Sequence, residues 1–474
     1  MNKIIILTLV LILSLSSVSA VNWYVDNAVA TSGTGQSWST AWKNLANINW
    51  VSVKPGDTVY ISGGTTSKTY YESLYPLASG TANNPIKITR GITAGHTGTP
   101  IISVTGTTSR ALWLTRSSNN NQNYLEVSYL KFKGERADGI IVIGSQSYNS
   151  TYGTVLSHNE IEHPLGLGIK VENVYNTKIL NNYIYTGPTD FNDDVDGIYV
   201  AGPGNNIEIG FNKIFAQSTR GDAGVVGAHN DGIQISSSPK DRLIAWGTGG
   251  VTSIHDNFLL QNPPSYINQT AGMFLNSLDG DYQIHNNILV NTAGTWNHMI
   301  YLGNNGVTTR HITANVTNNT IVLNNGLMYP FETKGVYSAS FRNNKIYKPA
   351  GDHAIFIRDT NTILDIDYNH YYLKSTTLKQ VSFGSVSKSW SEWQNMGYDL
   401  HSTIGPFSFV NIWGTNPEDY KIVSGETASY HPADLNTDGC ISLGEISTYV
   451  GRWLNGEITL STVSSGVSKW VGGC

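Results

Sequence analysis

The sequence predicts an all-β chain, a right-handed parallel β-helix solenoid followed by a small α-helical domain. Three observations predict it. A six-residue pattern, apolar–x–x–Asn–x–apolar, recurs with its Asn at 159, 182, 212, 257, 287, 319, 344 and 369. A second short apolar strand lies between successive copies, as in Gly168–Val171, Asp196–Val200, Asp231–Ile235 and Gly272–Leu275. No helical apolar period runs between them. Two or three short strands per coil cannot bury their own apolar face, so the coils must stack on one another.

Composition agrees with that reading. Of 474 residues only 13% are charged, against about a quarter in ordinary soluble domains. Gly (48), Tyr (26) and Trp (12) are plentiful. Aromatics at 11% and hydrophobics at 40% exclude a disordered chain. With 29 Lys+Arg against 34 Asp+Glu the net charge is -5. No basic excess exists to neutralise phosphates, so nucleic acid is not an expected partner.

Taken in order, residues 1–20 read as a signal peptide. Lys3 gives a positive start, Ile4–Leu15 an apolar run, and Ser17–Ala20 small residues for cleavage after Ala20. That run is shorter than the ~20 residues a membrane span needs, and no later one resembles it. The mature chain is therefore expected outside the cell, without a span. The coils occupy residues 101–375. Their Asn residues are expected at turns, tolerating left-handed backbone and bonding the next Asn along the stack. The longest step, from Asn212 to Asn257, contains an insertion at 236–251, and another at 187–195 precedes Asp196. Loops that interrupt a regular solenoid usually build its binding face.

Chemistry gathers at the same coils. Aligning them by Gly and apolar positions stacks Asp138, Leu167, Asp196 and Asp231 at one strand start. The outward stripe then holds Ile140 or Ile141, Lys170, Tyr199, Gln234 and Phe274. Ile198, Val200, Ile233 and Ile235 face inward by alternation. The 187–195 insertion is acidic, with Asp190, Asn192, Asp193 and Asp194, and the next coil carries Arg220, Asp222 and His229. Adjacent coils lie ~4.8 Å apart, so their carboxylates approach the roughly 5–9 Å separation of glycoside hydrolysis. Two mechanisms can use these residues. In a hydrolase Asp196 and Asp231 are acid and base, with His229 tuning one of them. In a lyase Asn192, Asp194 and Asp196 hold Ca²⁺ against a uronate carboxylate, and Lys170 or Arg220 abstracts the C5 proton. A third alternative stays open: Asp before Gly is common in turns for steric reasons alone.

The C-terminal piece, 429–474, carries a twelve-residue calcium loop, Asp434–Glu445. Asp434, Asn436, Asp438, Ser442 and Glu445 supply side-chain oxygens at positions 1, 3, 5, 9 and 12, and Cys440 its carbonyl at position 7. Gly439 takes the sharp turn. Ile446, Tyr449, Val450, Trp453 and Leu454 then recur with helical spacing, and a second helix is expected over 460–471. The only two cysteines, Cys440 and Cys474, read as a disulfide in an exported chain. Closing a loop of about 35 residues contributes roughly 3–4 kcal/mol on the chain-entropy account.

Several segments carry a family resemblance. Trp23–Asp26, Ser37–Leu45, Lys54–Ile61 and Gly80–Ile88 are similar to the N-terminal cap of secreted right-handed parallel β-helix proteins of the pectate-lyase-like, carbohydrate-active group. Trp393–Ser402 and Phe407–Asn411 resemble their closing segment. The resemblance spans nearly the whole mature chain. It implies a cap and first coils over 21–100 and a closing segment over 376–428. With an extended, acidic polysaccharide as the expected substrate, the coil alignment and the acidic insertions point to Asp196, Asp231, His229 and Lys170 as catalytic residues. Tyr199, Gln234, Arg220 and Asp194 would bind that substrate. The Asp-Gly turns on adjacent coils are similar to polygalacturonase-type hydrolases, but Asn230-Asp231 stands where that family pairs two Asp. Its next-coil His and Arg-x-Lys motifs are missing. The calcium loop resembles half a dockerin, which leaves docking to a protein or cell surface as a further expectation. Inert adhesins share this fold with lyases and hydrolases. A non-catalytic glycan-binding or cell-surface protein is therefore the alternative.

Overall fold

The computed structural model describes residues 19–105, 110–114, 122–135, 140–144, 151–186, 196–201, 206–216, 231–236, 251–261, 271–277, 279–291, 298–304, 311–323, 329–349, 353–373, 379–423, 433 and 443–454. Their strands form three long sheets of 12, 12 and 11 strands, and within each sheet every strand pairs with its counterpart one coil on. The first sheet runs from Asn22–Val25 to Ile363–Asp367, and the second from Ser67–Tyr70 to Thr403–Ile404. The third runs from Leu112–Leu114 to the hairpin Lys379–Phe383 and Val386–Ser389. Pairing is parallel throughout the coils, as in Ile169↔Ile198↔Ile233↔Met273. This is a parallel β-helix.

Alternation builds the core. Inward residues of the three sheets join one apolar cluster extending from Trp23 to Trp393. In the third sheet Val171, Val200, Ile235, Leu275 and Leu302 stack in register, all buried. The expected inward residues Ile198, Val200, Ile233 and Ile235 are among the buried ones.

The repeated Asn forms a continuous buried ladder. Each Asn before the last, Asn369, donates from its N–H and its amide to the Oδ1 of the Asn one coil on, for example Asn257 N to Asn287 Oδ1 at 3.0 Å and Asn287 N to Asn319 Oδ1 at 2.9 Å. The amide also donates to a strand-end carbonyl of the preceding coil, as Asn287 Nδ2 does to Ile254 O at 2.8 Å. The expected left-handed backbone sits one residue earlier than predicted. His158, Asn181, Phe211, Asp256, Asn286, Asn318, Asn343 and Tyr368 carry φ between 53° and 59°. The reason is geometric: the residue before each ladder Asn, outside the core, turns the corner, and that aims the Asn inward.

The ends are closed differently. Trp23 stacks on Trp42 with ring centroids 5.1 Å apart at the N-terminal end. Buried Asp57 accepts Val21 N, Trp23 Nε1 and Lys54 N, each at 2.8 Å. At the other end the third sheet turns antiparallel, and Ser389 caps the short helix Trp390–Asn395. Buried Asp399 receives the last rung, Asn369 Nδ2, at 3.2 Å and Trp393 Nε1 at 2.8 Å. Burial pushes its carboxyl above the usual range, against the hydrogen bonds it accepts.

In the C-terminal piece a helix spans Leu443–Leu454. Ile446 and Tyr449 pack with Ala433, and Val450 lies against them. Leu454 is 71% exposed and leaves the apolar face predicted for it, because the helix ends there. Loop residues 434–442, both cysteines and the expected second helix lie outside the described residues. No described helix is long and apolar enough to cross a membrane.

Candidate functional site

The outward side chains of the third sheet form one registered stripe across successive coils. In order it carries Trp113, Val142, Lys170, Tyr199, Gln234, Phe274, Tyr301, Glu332 and Phe356. Lys170, Tyr199 and Gln234 therefore stand side by side, as predicted. One position differs. Ile141 pairs with inward Ile169, so Val142 and neither Ile140 nor Ile141 occupies the stripe. Ile140–Ile143 is an unbroken apolar run, all of it buried. Alternation within such a run cannot fix the register, and a one-residue slip exchanges the two faces.

The predicted acids are placed in the wall. Asp196 and Asp231 lie on adjacent coils, both fully buried. Asp196 Oδ1 accepts Asp231 N at 2.8 Å, and Asp231 Oδ1 accepts Ala271 N at 2.6 Å. Each carboxylate thus binds the backbone of the following coil, a rung position parallel to the Asn ladder. Lys170 Nζ is 2.7 Å from Glu172 Oε1 on its own strand, both half-buried or deeper. Gln234 is 4% exposed, and its Oε1 meets no donor among the described residues. His229, Arg220, Asp194 and Asn192 lie outside the described residues. So do Asp434, Asn436, Asp438, Cys440, Ser442 and Cys474, while Glu445 falls in the first turn of the terminal helix. Among the described residues no cluster of three or more His, Cys, Asp or Glu is arranged to hold a metal.

Two coils further along the stripe is a cluster that sequence reasoning missed. Glu332 projects outward from Tyr329–Lys334 yet is fully buried. His298 Nδ1 lies against its Oε2, and Arg358 Nε against its Oε1. The His298 and Tyr301 ring centroids are 5.2 Å apart, and Tyr301 stacks on Phe274 at 4.8 Å. Tyr329 lies beside His298 at 6.0 Å. The Arg358 guanidinium sits 4.8 Å from the Phe356 ring centre. Burial pushes the Tyr301 hydroxyl up to about 12, with Glu332 adding to the rise and Arg358 opposing it. Tyr329 moves the same way, chiefly through burial and then Glu332. Carrying the strand alignment two coils beyond Phe274 reaches Tyr301 and then Glu332, so a signal for these residues was present. Arg358 and His298 join only through the fold.

A shallow depression of about 290 Å³ lies elsewhere, on the first sheet, lined by Gln283, Asn315, Ser340 and Asp365 among others. Asn315 donates to Gln283 at 3.1 Å and Ser340 to Asp365 at 3.3 Å across its coils. These side chains are occupied with one another.

No family model and no curated protein matches the chain. Among solved structures it is similar to pectate lyase Pel9A, at 13% identity and a TM-score of 0.39, over 69% of this chain and 79% of that one. It is similar to a rhamnogalacturonan lyase at 14% identity and 0.37, over 81% and 87%. A lacto-N-biosidase from Eubacterium ramulus gives 12% and 0.35, over 77% and 68%. At these values the likeness is one of winding, and activity has to be argued from side chains.

Proposed function

We propose that the chain is an exported polysaccharide-active β-helix protein that binds an extended, acidic glycan along the outer face of its third sheet. The observation that carries this is the registered stripe from Lys170 to Phe356. It repeats at the ~4.8 Å rise of the coils and carries aromatic rings among polar and charged groups. Aromatic faces stack on sugar rings, and fixed polar groups orient them. Lys170 and Arg358 are cations along this path, suited to carboxylates on the polymer. Export follows from the reading of residues 1–20, and a calcium-binding module from the reading of 434–445. Placement of Asp196 and Asp231 as buried backbone acceptors favours a second reading, a glycan binder without turnover.

The test uses the mature protein with neutral and acidic polysaccharides, in calcium and in chelator. New reducing ends and the ultraviolet absorbance of unsaturated products are followed together. Both signals mean a lyase; reducing ends alone mean a hydrolase and favour the Asp196 and Asp231 pair. Neither signal, with retained glycan binding, means the non-catalytic reading.

A further inference from the structure

We propose that His298, Tyr301 and Arg358, organised by buried Glu332, form an eliminative cleavage centre for a uronate-bearing chain. This rests on the reading of the third sheet as the glycan face. Glu332 Oε2 lies against His298 Nδ1 as an ion-pair contact without hydrogen-bond alignment, which leaves Nε2 as the nitrogen that meets substrate. A carboxylate that fixes one ring nitrogen so that the other accepts a proton is the general logic of an oriented base. His298 is 7% exposed and Tyr301 9% on the outer face of the third sheet. The Arg358 side chain is 44% exposed. Its Nε is held by Glu332, and its two terminal nitrogens are left to pair with a uronate carboxylate. Neutralising that carboxylate acidifies the C5 proton beside it.

The step balances within the cluster. His298 Nε2 takes the C5 proton, and the freed electron pair becomes a C4–C5 double bond. The C4–O bond breaks, its pair leaves with oxygen, and that oxygen takes the proton of the Tyr301 hydroxyl. The products are an unsaturated uronate and a new reducing end, without water. Proton transfer from imidazolium to phenolate restores both rings. A phenol held above its ordinary range keeps its proton until a more basic alkoxide forms, which suits the donor role. Hydrolysis would instead need two available carboxyl groups, and the cluster holds one, Glu332, whose oxygens lie against His298 and Arg358.

The experiment uses the full mature chain with polygalacturonate, alginate and a neutral glucan. Wild type should release unsaturated products from an acidic polymer only. His298→Ala should lose turnover by about a hundredfold to ten-thousandfold, with added imidazole restoring part of it, since a merely structural defect does not respond to imidazole. Tyr301→Phe should lower kcat with little change in KM, and Arg358→Gln should chiefly raise KM. Thermal melts of the three variants check folding. Unsaturated product from His298→Ala within tenfold of wild type would sink the centre alone. So would a loss that imidazole leaves untouched. No turnover by wild type on any polymer would take down the centre and the enzymatic reading together.

Discussion

Replacing Asn287 by Ala tests the ladder where it is densest. Asn287 Oδ1 accepts Asn257 N and Asn257 Nδ2, each at 3.0 Å. Its Nδ2 donates to Ile254 O at 2.8 Å, His285 O at 3.1 Å and Asn319 Oδ1 at 2.9 Å. After substitution Asn319 Oδ1 keeps Asn287 N, and Asn257 Nδ2 keeps Ile209 O. Asn257 N loses its side-chain acceptor at a fully buried site. A buried unsatisfied N–H costs about 1–3 kcal/mol, and the carbonyls that lose a donor add roughly 1 kcal/mol. The expected total is about 3 kcal/mol. Its neighbour Asn286 is exposed, with φ at 57°. There Ala should cost only about 1 kcal/mol, the strain of left-handed backbone, and Gly should be neutral or better. Urea unfolding gives the totals, and hydrogen exchange gives the place: protection of the Asn257 amide should fall while that of Asn344 persists, because coils couple to their neighbours. A loss below about 1 kcal/mol at Asn287, or equal losses at 286 and 287, would refute the division of labour between the turn residue and the rung.

Three further outcomes are expected. The Glu208 carboxyl is held below its usual range by its hydrogen bond to Lys178, against burial. A lowered folded value contributes stability above the unfolded value of 4.5 that is lost as pH falls through the folded one. Glu208→Gln should therefore lower the melting temperature modestly at neutral pH and leave it nearly unchanged in acid below the folded value, so that the acid limb flattens. Cleavage after Ala20 would place the new α-ammonium of Val21 at buried Asp57, whose Oδ1 already accepts Val21 N at 2.8 Å. A chain beginning at Val21 should melt higher than one retaining Ala20, and Nα-acetylation or Asp57→Asn should erase the difference. Calcium should raise the melting temperature of the 430–474 segment, and Glu445→Gln should abolish that rise; identical melts in calcium and chelator would refute the loop as a calcium site.

What was legible followed local rules. The Asn repeat, the inward Ile198, Val200, Ile233 and Ile235, and the outward Lys170, Tyr199 and Gln234 all follow from strand alternation within a coil. The misplacements have equally local causes. A run of four apolar residues at Ile140–Ile143 contains no alternation to read. The left-handed position fell on residues as different as Phe211, Tyr368 and Asn343, so composition does not mark it, and only the inward aim of the following Asn does.

The candidate site is harder to read because its residues are separated by whole coils. His298, Glu332 and Arg358 are adjacent through pairing of Tyr301 with Glu332 and of Glu332 with Phe356. Their spacing of 34 and 26 residues follows loop lengths and matches no motif. Acidic residues cluster along the chain around Asp196 and Asp231. Clustering along the chain selects turns, however, where Asp also serves the backbone, and both carboxylates do so here. In a solenoid the informative direction is across the coils. There a buried outward-facing Glu332 stands out, because an acid on that face has solvent available to it. Its burial needs partners, and those beside it are a histidine and an arginine on the outer face of the third sheet.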